Sequence, residues 1–100
     1  MSDQTPNKKF FSEIRVSRIE FYPSESRIEI ESLIGKETMM MRFFGVKGVR
    51  MDGTFPMDVL LDFSIVDVSR DQMEGIRFRV SDETPGCISF FCREYQLNPR

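Results

Sequence analysis

The stretch Arg27-Ile28-Glu29-Ile30-Glu31 alternates charged and apolar residues without a break. Successive side chains of a β-strand point to opposite faces, so this alternation gives one buried and one solvated surface only if the segment is a strand. The same period recurs along the chain. Ile19 and Phe21 alternate with Arg18, Glu20 and Tyr22, and Ile76, Phe78 and Val80 alternate with Arg77, Arg79 and Ser81. In the last apolar segment Ile88, Phe90 and Cys92 share one phase, with Ser89, Phe91, Arg93 and Tyr95 in the other. The longest candidate strand puts Met57, Val59, Leu61, Phe63 and Ile65 on one apolar face and Asp58, Leu60, Asp62, Ser64, Val66 and Val68 on a mixed one. No segment sustains the three-and-four spacing of an amphipathic helix.

Turn chemistry separates these segments at Pro23-Ser24-Glu25-Ser26, Gly35-Lys36, Asp52-Gly53-Thr54-Phe55-Pro56 and Asp82 to Gly86. The apolar phase shifts between Val16 and Ile19, which predicts a bulge near Ser17. Gly45 and Gly48 predict a second bulge or a sharp bend. Short connections favour antiparallel neighbours, because a parallel pair needs a long crossover. The expected fold is all-β: a single antiparallel meander of six to seven strands, curled around Val59–Ile65 into a sandwich or half-open barrel. Residues 1–9 read as a flexible N-terminal arm, 10–96 as a single β domain and 97–100 as a frayed tail. With 100 residues, 40% of them apolar, the chain can build one modest core.

Composition narrows the chemistry. The chain contains no histidine, which removes Ser-His and Cys-His catalysis and histidine-ligated metals. No apolar run approaches the 20 or so residues of a membrane-spanning helix. The opening MSDQTPNKKF lacks the basic-then-apolar pattern of a secretory signal, so a cytoplasmic location is expected. Cys87 and Cys92, five apart in one strand, would stand about 16 Å apart, too far for a disulfide. Both are expected to be reduced, with at least one packed in the core. Cys92 with Glu94 and Tyr95 is the only clustered candidate for catalysis, and no base or oxyanion donor accompanies it. The chain reads as a non-enzyme without cofactor or metal.

Between Asp52 and Glu74 six acidic residues accompany one base, Arg70. Asp58 and Asp62 share a strand face about 13 Å apart, beyond the usual spacing of a glycosidase pair. Together with Glu29 and Glu31 they are the candidate partner-binding residues, an acidic face for a basic protein. The apolar members of the mixed face, Leu60, Val66, Val68, Phe91 and Tyr95, suggest either a cover, supplied by Phe10 and Phe11 of the N-terminal arm or by a second layer of sheet, or a recognition patch. Arg77 and Arg79 share one outward face, but a sequence pI near 5.2 opposes a nucleic-acid role. An alternative function is a small-ligand-binding β-barrel with Phe63, Phe78 and Phe90 and Arg77 or Arg79 at its mouth. Pairing of copies through an edge strand bearing Met39, Met41 and Phe43 would give a homodimer.

Two resemblances bear on function. Asp67-Val68-Ser69 with Gly75 resembles part of the Asp-x-Ser-x-x-Gly strand of PilZ domains. Gly75 lies six positions after Ser69 where that pattern has three, and the paired upstream arginines are missing, so cyclic di-GMP binding is not expected. A broader likeness runs from about Phe11 to Tyr95. Its landmarks are Ile14 to Phe21, Arg42-Phe43-Phe44-Gly45-Val46, Asp62-Phe63-Ser64-Ile65, Glu74 to Val80 and Ile88-Ser89-Phe90-Phe91-Cys92. In these the chain resembles a group of small bacterial β-proteins, some of them similar to immunity proteins of polymorphic-toxin systems. The resemblance implies a protein that binds and neutralises a cognate toxin domain. Relatives often carry a His-Asp pair near the first strand, where this chain has Ser12-Glu13.

Overall fold

A computed structural model describes residues 8–51, 59–71, 75–83, 86 and 88–99. Eight strands follow one another: β1 (Lys8–Tyr22), β2 (Arg27–Ile34), β3 (Glu37–Phe44), β4 (Lys47–Met51), β5 (Val59–Asp67), β6 (Phe78–Ser81), β7 (Ile88–Cys92) and β8 (Glu94–Pro99). They form one antiparallel sheet in the order β4-β7-β6-β5-β1-β2-β3-β8. The architecture expected from the sequence holds in class, with eight strands rather than six or seven. Hairpin-like runs β1-β2-β3 and β5-β6-β7 are joined by the non-sequential pairs β1/β5, β3/β8 and β4/β7, so the sheet is not a simple meander.

The extra strand arises at Arg93. The segment expected to run straight from residue 87 to 95 bends there, with β7 pairing β6 and β4 while β8 crosses to pair β3. The chain makes the matching crossing at Gly45-Val46, between β3 and β4. The two bends are tied together by the amide of Arg93, which donates to the carbonyl of Phe44 at 2.8 Å. The amide of Val46 donates to the carbonyl of Ser26 at 2.9 Å. The ends of the open sheet are thus linked twice by continuous chain, and its two halves face each other across the core. Phe43 on β3 meets Phe90 on β7 edge-to-face at 5.0 Å, and Tyr95 on β8 meets Phe78 on β6 in the same way at 4.9 Å. Tyr95 therefore points inward, against the expectation that it shares a face with Ser89 and Phe91. The bend at Arg93 resets the alternation.

Two irregularities decide which side chains enter the core. In β1, Val16 pairs with Ser32 and Arg18 with Glu31, leaving Ser17 as the extra residue of the expected bulge. In β5, Asp62 takes a left-handed conformation with φ 54°. Alternation breaks there: Leu60, Phe63 and Ile65 are fully buried while Leu61 is 37% exposed. The single apolar phase expected for Met57 to Ile65 is therefore wrong at Leu61, because the left-handed residue reverses the faces on either side of it. Ile14, Ile28, Ile30, Met41, Val80 and Cys92 complete the centre of the core. Each large side chain so buried contributes about 1.5–3 kcal/mol relative to exposure.

Met40 and Met41 are buried within β3, which lies between β2 and β8, so the strand expected at an edge is interior. The edges are β4 and β8. Leu97 to Pro99, read from sequence as a tail, continue β8 with Leu97 opposite Met41 and Pro99 opposite Met39. Tyr95 and Leu97 share one phase and pack on the core, which gives this terminal segment an apolar face of its own. Asp82 closes the β6–β7 connection: its carboxylate accepts from the amides of Gly86 at 2.8 Å and Ile88 at 3.0 Å.

Candidate functional site

Solvent-facing side chains of the two half-sheets differ in character. On β1-β2-β3, β2 presents Arg27, Glu29 and Glu31 outward, between Glu20 and Arg18 on β1 and Arg42 on β3. Glu29 holds Arg27 and Arg42, each at 3.3 Å, and Glu31 meets Arg18 at 3.7 Å. Arg27 also reaches Glu25 at 3.0 Å and lies over the Tyr22 ring at 4.2 Å. The Tyr22 hydroxyl donates to Glu20 at 2.6 Å, and this bond holds the phenol above its ordinary pKa. Cross-strand opposite charges of this kind stabilise sheet pairing by a few tenths of a kcal/mol to about 1 kcal/mol each. The two glutamates singled out in the sequence are thus neighbours, but three arginines answer them.

Asp62 is placed apart from them. It lies level with Ser12 on the first half of β1, whereas Glu31 sits opposite Arg18. Six residues of strand separate those levels, about 20 Å. Asp58 falls outside the described residues.

The other half-sheet is cationic. Directly paired residues form an outward row of Lys47 on β4, Phe91 on β7, Arg79 on β6 and Val66 on β5. A parallel row runs Arg50, Ser89, Ser81, Ser64. Lys47, Arg50, Arg79 and Arg93 are exposed, and no described carboxylate forms an ion pair with them. Arg77 alone has such a partner, Asp67 at 3.9 Å. Asp67 also accepts from the Ser69 amide at 2.8 Å, so Asp67-Val68-Ser69 is a turn stabilised by its own side chain. Gly48 lies against Phe91: a Cβ there would meet the ring at 3.4 Å, ordinary van der Waals contact. Lys47 and Arg79 are widely separated in the sequence and are brought to either side of Phe91 by the β4/β7 and β6/β7 pairings. Gly45 and Gly48 marked the bend but not its neighbours.

Phe63 and Phe90 are fully buried and Phe78 nearly so, which makes them core side chains and not a pocket mouth. A surface groove of about 470 Å³ runs between β1 and the β2–β3 turn, with Phe11, Ser12, Glu13, Arg15, Leu33 and Ile34 among its lining. Cys92 is a buried free thiol whose burial pushes its pKa up to about 12. Such a group is a poor nucleophile at neutral pH. Among the described residues no three carboxylates or thiols cluster as metal ligands, and no helix is long and apolar enough to cross a membrane.

Comparison with known proteins places the chain. The family model described as Immunity protein PIM8 matches residues 8–98, from the start of β1 almost to the end of β8. Neither the curated proteins nor the solved structures yielded a match.

Proposed function

The chain belongs to the PIM8 family of immunity proteins, and from that premise we propose that it neutralises a cognate toxin by binding it. The reading is a non-catalytic protein-binding module acting in the cytoplasm. The match along residues 8–98 is the observation that carries it, because it spans every strand. Two half-sheets of ordered charged side chains around a packed core agree with recognition by surface rather than by cavity. The barrel alternative draws less support, since its aromatic residues lie in the core.

The test screens the products of the genes flanking this one for a toxin domain that the chain binds. Purified chain is expected to form a one-to-one complex with it and to suppress its activity. A toxin fully active in excess chain would defeat the proposal.

A narrower form gives the contact to Glu29, Glu31, Asp58 and Asp62 against a basic toxin. Charge complementarity there would chiefly raise association rate and selectivity. Reversing Glu29, Glu31 and Asp62 to lysine should then slow association, most strongly at low salt. The arginine partners of Glu29 and Glu31 limit how much charge those two offer.

A further inference from the structure

Cations on the two half-sheets are used differently. On β1-β2-β3, Arg18, Arg27 and Arg42 are each engaged by a glutamate. On β4-β7-β6 and at the bend after β7, Lys47, Arg50, Arg79 and Arg93 are exposed and form no ion pair with a described carboxylate. Strand spacing puts Lys47 and Arg79 about 10 Å apart with Phe91 between them, and Arg93 follows at the bend that ends β7. Lys47 directs its ammonium toward Gly75, where a Cβ would stand 3.2 Å away. Two left-handed glycines seat this arrangement, Gly48 beneath the Phe91 ring and Gly45 against Arg93. Self-repulsion among such charges is relieved when a partner supplies carboxylates.

We propose that the outward face of β4-β7-β6, centred on Phe91 and ringed by Lys47, Arg79 and Arg93, docks an acidic surface of the toxin partner. The inference rests on the immunity reading, assigns the sign of the partner's contact face and stands against the acidic-face form of that reading. Guanidinium groups accept carboxylates bidentately, and a half-buried aromatic among arginines has the composition of an interface hot spot. The hydroxyls of Ser64, Ser81 and Ser89 offer further donors beside it. A protein partner fits better than nucleic acid, because the whole chain carries a net charge of −2.

Affinity and association rate of the full chain for the toxin domain found by that screen provide the test. Lys47→Glu, Arg79→Glu and Arg93→Glu together should weaken binding about 100-fold, mostly through slower association, and Phe91→Ala should speed dissociation. Wild-type association should also slow steeply as salt rises to about 0.5 M. Lys36→Glu, at the β2–β3 turn, should leave the affinity unchanged. Circular dichroism checks folding, and Arg79→Gln with Arg93→Gln replaces the reversal if it unfolds. Wild-type binding that survives these changes intact overturns the inference while leaving the immunity reading in place. No binding by the wild type overturns both. Binding of a short RNA or DNA duplex through these same residues, uncompeted by the toxin, would show the face to serve nucleic acid and would also overturn it.

Discussion

A Cβ on Gly45 would stand 2.9 Å from the Cβ of Arg93, closer than side-chain carbons pack. The two residues mark the two bends, and each bend is shaped by the other. Gly45 also has φ +66°, where a side chain is strained. Gly45→Ala should cost about 2–4 kcal/mol, strain and crowding combined. Gly35→Ala is the comparison: its φ is +64° but no atom lies within 4 Å. It should cost only about 1 kcal/mol, so urea unfolding of the two variants separates crowding from backbone strain.

Asp62 sits at φ 54° in the middle of β5. Asp62→Gly removes the charge without adding strain, and stability should hold or rise by up to about 1 kcal/mol. Asp62→Val should lose about 1–3 kcal/mol, since a β-branched residue is ill suited to this region. Thermal melts distinguish the two, and toxin binding by the glycine variant reports on the carboxylate alone.

Phe43 and Phe90 are both fully buried and meet edge-to-face at 5.0 Å. Phe43→Ala should lose about 3–5 kcal/mol. A double-mutant cycle with Phe90→Ala should return a coupling of about 0.5–1.5 kcal/mol. Additive losses would mean the two half-sheets do not pack through this pair.

Cys92 gives a pH prediction. Burial raises its thiol from an ordinary 9.0 to about 12. The unfolded chain therefore releases the proton first, and its lower proton count above pH 9 favours unfolding. The stability associated with the neutral thiol is complete below about pH 9 and is lost as pH rises toward 12. Cys92→Ala should flatten that decline in denaturation curves measured across the window. In the folded protein at pH 8 Cys92 should resist a thiol-alkylating reagent until denaturant is added, as peptide mapping would show.

Local pattern made much of this architecture legible. Ile28 and Ile30 were placed inward by simple alternation, and the slip of phase after Val16 located the bulge at Ser17. The reversal at Leu61 was not legible, because an aspartate tolerates the left-handed region without announcing that it occupies it. Nor could the sequence show that Phe44 and Arg93 would meet, since strand order depends on which distant surfaces bury each other. The acidic candidates illustrate the same limit. Glu29 and Glu31 were correctly read as outward, but their arginine partners come from three different strands.

Strand β8 is the outer neighbour of β3 and the last described segment to be synthesised. On the ribosome, Met39 to Phe44 leave the exit tunnel long before Glu94 to Pro99 exist. That methionine- and phenylalanine-rich strand waits with one side uncovered until β8 has been made. Nascent chains stalled before that point, or truncated by a premature stop, expose a template for stacking copy upon copy. Avoiding that fate in the cell depends on the arrival of six residues.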